Sequence, residues 1–153
     1  MITSQHPIPY EKVESWLMCY KDWKARLEYA QSELSYFPKM THTLQMVDTH
    51  SSGKKQEMVL RSVIRRIEIA EYEIPLLISR IGLFDYAFSS LTPEENLFIQ
   101  LRYMDKLASS DAMNRLALSR RAYFYLRKRT LNNIYMKIKS RVVLLDLNSS
   151  HDK

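Results

Sequence analysis

The stretch LALSRRAYFYLRKRT, residues 116–130, decides how the C-terminal part of this chain folds. It holds five basic residues and three consecutive aromatic residues, and it contains no carboxylate. Leu118 and Ser119 form a predicted turn, and Ser119 can cap a long basic helix that runs to about Ile138. Because the short helical segment DAMNRLA (111–117) precedes this turn, the pattern predicts a helix-turn-helix.

A strong helix start lies upstream, at LTPEE, residues 91–95. Thr92 can act as the N-cap, Pro93 suits the first helical position, and Glu95 completes a capping box. The helix should continue through the apolar residues that follow and end near Asp105. We expect the apolar side of this helix to pack against the helix-turn-helix.

The sequence of the N-terminal half predicts two long helices separated by a polar loop over residues 37–56. The first should begin near Tyr10 and end at Pro38, and Pro75 should kink or break the second. Both carry apolar residues at alternating steps of three and four, which is the spacing of a helix–helix seam. The seam residues are Trp16, Tyr20, Trp23, Leu27, Ala30 and Leu34 in the first helix, and Leu60, Val63, Ile67, Ala70, Ile74, Leu77 and Ile81 in the second.

Two long helices joined by one loop form most simply an antiparallel hairpin. The sequence therefore predicts an all-α fold, with a long antiparallel helical hairpin over residues 1–90 and a helix-turn-helix domain over residues 91–153. Neither helix can bury its seam alone. The seams must face each other, the C-terminal half or a second copy of the chain, so a homodimer through the N-terminal helices is one expectation.

Charge is distributed unevenly along the chain. The net charge is +6, yet residues 1–91 hold eleven basic and eleven acidic residues. Residues 92–153 hold twelve basic and six acidic residues, so the whole excess lies there. Eight basic residues and no acidic one occur between Ser119 and Arg141. A segment whose charged residues are all basic, next to an N-terminal part with no net charge, indicates a contact surface for a polyanion.

The basic helix has two different sides on a helical wheel. The side predicted to be buried carries Tyr123, Leu126, Thr130 and Ile134, and the opposite side carries Arg121, Phe124, Tyr125 and Lys128, with Arg120 at one edge. Arg120 and Arg121 follow the cap, so they would reach base edges first in a major groove. The segment 127–129 would reach phosphates instead. Phe124 and Tyr125 would either contact DNA or cover a neighbouring helix.

The segment LTPEENLFIQLRYMDKLASSDAMNRLALSRRAYFYLRKRTLNNIY, residues 91–135, resembles the C-terminal half of ArpU/RinA-type phage transcriptional regulators. These carry a helix-turn-helix similar to region four of bacterial sigma factors. The long helical N-terminal half with its polar HSSG loop (50–53) also resembles that group, more loosely. Two departures are Ala117, where glycine often stands, and LASSD (107–111), which replaces the usual acidic or Trp residues.

The resemblance implies an activator of phage late or packaging genes that binds double-stranded DNA and works with host RNA polymerase. By position it implies DNA contacts from the recognition helix, namely Ser119, Arg120, Arg121, Phe124, Tyr125, Arg127 and Lys128. Ser109 and Ser110, either of which can cap the preceding short helix, complete the candidate DNA-binding residues.

Several function classes are not supported by the residues. The two glycines, Gly53 and Gly82, are too few for a Gly-rich phosphate loop. The single cysteine, Cys19, cannot form an internal disulfide or a CxxC zinc site, and the four histidines show no ligand spacing. Asp48, His50 and Ser51 have the residue types of a catalytic triad but lie in the polar loop. We expect no catalysis, no cofactor and no metal.

The most apolar stretch, residues 74–88, is interrupted by Arg80 and Asp85 and is too short and too charged to span a bilayer. The N-terminus shows no targeting segment, and the lone cysteine fits a reducing compartment. We therefore expect no membrane partner and a location in the cytoplasm of a bacterial host.

Two alternatives to a transcriptional regulator remain open at this point. A small terminase-like DNA-packaging subunit would also join a helix-turn-helix to long oligomerising helices, but as a ring of many subunits. A helical protein–protein adaptor would bind a polymerase or a host regulator through its aromatic seam. The adaptor would have negligible DNA affinity at physiological salt.

Overall fold

All regular structure in the described residues of this computed structural model, 8–36 and 53–146, is helical. The helices are α1 (Tyr10–Tyr36), α2 (Gly53–Glu68), α3 (Ile74–Ser89), α4 (Pro93–Ile99), α5 (Ser109–Leu116), α6 (Arg120–Ile138) and α7 (Val143–Asp146). A π-helical turn, Ile69–Glu73, joins α2 to α3, and a second, Gln100–Met104, extends α4; a short 3₁₀ turn, Lys139–Arg141, follows α6. The all-α prediction is confirmed.

The chain divides into two compact units, residues 1–23 with 80–148 and residues 24–79 with 149–153. We call the described parts of these the C-terminal unit (8–23 and 80–146) and the hairpin unit (24–36 and 53–79). This division differs from the predicted boundary at residue 90. The reason is that the first part of α1 and most of α3 contribute buried side chains to the same core as the helix-turn-helix.

The core of the C-terminal unit consists of side chains from all its long helices. Its fully buried members are Val13, Leu17, Phe84, Ala87, Phe98, Tyr103, Ala112, Tyr123, Leu131, Ile134 and Ile138. Burying apolar surface is the main stabilising contribution to such a core. Residues 8–23 of α1 are therefore part of the unit that holds α6.

The two long helices run antiparallel, as predicted. In the C-terminal unit, Tyr20 lies against Phe88 with ring centroids 5.2 Å apart, and Trp23 lies against Phe84 at 5.7 Å. In the hairpin unit, Arg26 Nε donates to Glu73 at 2.5 Å, and Arg65 reaches Glu33 at 3.5 Å.

The first predicted seam is confirmed, because Trp16, Tyr20 and Ala30 are buried and its other members are half-buried. The second is wrong over its first half, where Leu60 and Ile67 are exposed and Ile69 is buried instead.

The π-helical turn before Pro75 explains that shift of the buried face. Proline has no N–H to donate and crowds the carbonyl four residues earlier. Here Ile74 N–H bonds to Ile69 O, five residues back. This wider turn aligns Ile69, rather than Ala70, with the buried Leu77. The helix does not break at Pro75; a π-helical turn precedes it instead, and the extra residue of that turn moves the seam.

Part of the predicted polar loop is helical. Helix α2 begins at Gly53, so residues 53–56 are not loop. Lysine, glutamine and glutamate are good helix formers, which favours this extension. Residues 37–52 lie outside the described residues, and so do Pro38 and the candidate triad residues of the loop.

The predicted capping box at α4 is confirmed. Glu95 N–H donates to Thr92 Oγ1, and Thr92 N–H donates to Glu95 Oε1, both at 3.2 Å. The other carboxylate oxygen of Glu95 accepts from Asn133 Nδ2 at 2.8 Å, which ties α4 to α6. Burial would raise the pKa of Glu95, but the hydrogen bonds from Asn133 and Thr92 outweigh it and lower that pKa.

The turn between α5 and α6 has the expected position and an unexpected strain. Ala117 takes a left-handed conformation with φ 53°, and Leu118 N–H bonds back to Met113 O at 3.1 Å. Glycine favours this geometry at a helix C-terminus because it has no Cβ. Ser119 then caps α6, since its hydroxyl accepts from Ala122 N–H at 3.2 Å. The predicted turn and cap are both confirmed.

Candidate nucleic-acid interface

Helix α6 presents a basic and aromatic face to solvent. Arg121, Phe124, Tyr125 and Lys128 are all exposed, and their spacing of three, four and seven residues places them on one face. Tyr123, Leu126, Thr130 and Ile134 are buried on the other side, as predicted. We call the four exposed residues the α6 outer face.

The first turn of α6 carries the two candidate base-reading arginines. Arg120 and Arg121 are both exposed, and neither forms an ion pair with a described residue. Arg120 stacks its guanidinium over the Phe124 ring, 5.8 Å from the centroid. Arg121 has no such contact among the described residues. A cationic side chain beside a helix N-terminus gains nothing from the helix dipole, so its placement there is not explained by helix stability.

The two aromatic residues that the sequence left undecided differ in the structure. Phe124 is 37% exposed, and its ring lies edge-on against the buried Tyr123 at 5.4 Å. Tyr125 is 66% exposed, and Arg129 lies 5.8 Å over its ring. Phe124 therefore covers part of the core, whereas most of the Tyr125 side chain is open to solvent.

Arg127, predicted to contact phosphate, is held by a carboxylate instead. Its Nε donates to Glu14 Oε1 at 2.7 Å, and the same oxygen accepts from the Tyr103 hydroxyl at 2.8 Å. Sequence reasoning found no acidic neighbour for Arg127 because none lies on α6. The partner comes from α1, 113 positions away in the chain. Arg127 is thus turned towards α1 and away from the α6 outer face.

The electrostatics of this cluster are those of a charged hydrogen-bonded pair. Burial alone would raise the pKa of Glu14, but hydrogen bonds from Arg127 and Tyr103 lower it on balance. The hydrogen bond to Glu14 raises the pKa of Arg127. Burial and the neighbouring carboxylate raise the pKa of Tyr103. Glu14 is ionised and Tyr103 protonated at neutral pH, so the cluster joins α1 to α6 by charge-assisted bonds.

Arg129, the third residue of the segment predicted to contact phosphate, is also engaged. Its guanidinium lies 3.5 Å from the Glu94 carboxylate, in addition to its contact with Tyr125. This ion pair is partly exposed and therefore weak. Of the segment 127–129, only Lys128 is exposed without an ion pair among the described residues.

The predicted capping role of Ser109 and Ser110 is wrong. The N-cap of α5 is Ala108, which has no side-chain oxygen and makes no side-chain capping bond. Both serines lie inside the first turn of α5, with Ser109 half-buried and Ser110 exposed. A serine cap needs extended backbone at its own position, and here Ala108 occupies it with ψ 154°.

The described residues offer little for other chemistry. They contain no group of three His, Cys, Asp or Glu side chains arranged to hold a metal ion. Within residues 8–36 and 53–146, no helix combines the length and the apolar character needed to cross a membrane. All four histidines fall outside these residues.

Comparison with known proteins adds no further constraint. The chain matches no protein-family model, no curated protein and no solved structure.

Proposed function

We propose that the protein binds double-stranded DNA through the α6 outer face and regulates transcription. One observation carries the proposal: Arg121, Tyr125 and Lys128 are exposed together on a helix that contains no carboxylate. DNA affinity arises largely from basic side chains that neutralise phosphates. A capped helix preceded by a short helix and a tight turn is the geometry with which helix-turn-helix proteins enter the major groove.

The contacts of the basic residues on α6 favour a different division of roles among them from the one that the sequence pattern predicted. Arg121, in the first turn of α6, is the residue we assign to base edges, because its planar fork matches guanine. Lys128 lies two turns further along and is assigned to a phosphate. Arg127 is removed from the DNA-contacting set because Glu14 already neutralises it.

The regulatory role rests on the resemblance to ArpU/RinA-type regulators together with this outer face. A regulator of phage late or packaging genes needs sequence-specific DNA binding and a route to host RNA polymerase. In this proposal α6 supplies the first, and the polymerase contact involves surfaces other than the α6 outer face.

The test is selection of bound sequences from a random duplex library, followed by a mobility-shift titration of the enriched site. The wild type should enrich a defined sequence, and Arg121→Ala should lose affinity by about 1–3 kcal/mol, mainly by relaxing preference at one base pair.

The matched control is Lys21→Ala, which removes one exposed positive charge from α1. It should bind the enriched site like the wild type. If no sequence is enriched and binding is equally weak on every duplex at physiological salt, the proposal fails and a protein–protein adaptor is the better reading.

A further inference from the structure

Helix α2 carries a line of exposed apolar side chains within the hairpin unit. Leu60 is 59% exposed, Ile64 47% and Ile67 43%. Steps of four and three place them on one face of the helix. We call these three residues the α2 stripe. A line of large aliphatic residues on a helix surface is typical of a contact with another helix.

The hairpin unit does not cover this stripe. The side of α2 that meets α1 carries Arg65, which reaches Glu33 of α1 at 3.5 Å. Ile69, fully buried, lies at the end of that same side. On a helical wheel Ile69 points away from Leu60 and Ile67 by roughly half a turn. The stripe and the α1 contact are thus on different sides of α2.

Two residues of opposite charge lie beside the stripe. Arg61 and Glu68 flank the stripe on the same side, one at each end. If a second α2 packs antiparallel, Leu60 lies opposite Ile67 of the other copy, and Arg61 lies opposite its Glu68. A two-fold axis makes each such contact twice.

We propose that two copies of the chain associate through the α2 stripe, with their α2 helices antiparallel about a two-fold axis near Ile64. Parallel packing would not create these pairs, because each charge would then meet the opposite flank of the other copy at its own height. That flank holds Val59 and Val63 beside Arg61 and Ala70 beside Glu68. The stripe is short, so the association is weak and depends on concentration.

The first experiment is sedimentation velocity of the full chain over a concentration series, without DNA. The wild type should shift from monomer to dimer as concentration rises, and Ile64→Lys should remain a monomer. The matched control is Val143→Lys, which places the same charge at an apolar side chain that is 73% exposed in the C-terminal unit. It should dimerise like the wild type.

Charge exchange tests the orientation. Arg61→Glu alone and Glu68→Arg alone should each weaken the dimer, because each places like charges across the axis. Mixing the two variants should restore a dimer, since every cross-axis pair is then of opposite sign. Within the same helix Arg61 also pairs with Glu57 at 2.6 Å and Glu68 with Arg65 at 3.8 Å, so far-ultraviolet circular dichroism must show that both variants remain helical.

Recovery on mixing cannot come from a change in helix stability within one chain, so it would support the antiparallel arrangement specifically. A wild type that stays monomeric at every concentration, or variants that do not recover on mixing, would overturn the proposal. Because no DNA is present, either result leaves the DNA-binding proposal untouched.

Discussion

The Arg127 guanidinium and the Glu14 carboxylate form an ion pair over 2.7 Å that fixes α1 against α6. The same carboxylate oxygen accepts from the Tyr103 hydroxyl, which belongs to the π-helical turn after α4. One side chain from near the N-terminus therefore bonds to two elements of the helix-turn-helix region. Both ends of the ion pair are less than a third exposed, so solvent screens it less than a surface pair.

Replacing Glu14 with alanine should lower the free energy of unfolding by about 1–3 kcal/mol, because Arg127 and Tyr103 lose a charged acceptor. Urea denaturation monitored by circular dichroism measures the change. Glu28→Ala, at an exposed position in the middle of the same helix, is the control and should shift stability by less than about 0.5 kcal/mol. Equal losses from both variants would mean that the cluster contributes nothing specific.

Because the pKa of Glu14 is lowered in the folded protein, we expect the protein to lose stability in acid. The pKa of Glu14 is lowered in the folded protein from its ordinary value of 4.5. A lowered folded pKa means that the stabilisation is complete above pH 4.5 and is lost as pH falls through the folded value. The stability difference between wild type and Glu14→Gln should therefore shrink as pH falls below about 4.5. A difference that stays constant from pH 7 to pH 3 would contradict this.

Two buried tyrosines provide a matched pair of substitutions. Tyr103 and Tyr123 are both fully buried and both lie edge-on against Phe98. The Tyr103 hydroxyl donates to Glu14, whereas the Tyr123 hydroxyl has no hydrogen-bond partner among the described residues. Tyr103→Phe should cost about 1–3 kcal/mol of stability, and Tyr123→Phe should cost nothing or gain up to about 1 kcal/mol. Equal losses in urea denaturation would refute the distinction.

Substitutions of two neighbouring basic residues on α6 should have different effects, one on DNA affinity and the other on stability. Lys128→Ala should leave stability unchanged and weaken DNA binding, with the slope of log affinity against log salt falling by about 0.9. Arg127→Ala should instead lower stability by about 1–3 kcal/mol, because it leaves the Glu14 carboxylate half-buried without its cation. A salt titration of DNA binding and a urea titration of each variant measure both quantities. The assignment of roles would be reversed if Arg127→Ala changed only the salt slope.

The parts of the fold that depend on short-range patterns could be predicted from the sequence. Thr92 and Ser119 cap helices because each needs only backbone donors two or three residues away, and the steps of three and four located the buried side of α1. The pairing of Arg127 with Glu14 could not be predicted, since it depends on tertiary packing across 113 positions. For the same reason, the sequence could not show that the Arg127 side chain points towards α1 and away from solvent.

Two further misses have local causes. The π-helical turn at Ile69–Glu73 adds a residue to one turn, and a regular period of 3.6 cannot anticipate it. At α5 the sequence offered serines at positions 109 and 110, but the chain enters the helix one residue earlier, at Ala108.

A glycine at position 117 should stabilise the strained turn before α6. Ala117 has φ 53° and is exposed, so its methyl group disfavours the left-handed backbone and contributes no buried surface. Ala117→Gly should raise the free energy of unfolding by about 0.5–1 kcal/mol, the relief of strain outweighing the added entropy of the unfolded chain. Ala122→Gly, at a helical position of α6, is the control and should instead lower stability by about 1 kcal/mol. Thermal and urea unfolding of both variants measure the changes, and a loss of stability in Ala117→Gly like that in Ala122→Gly would show that the conformation of Ala117 carries no strain.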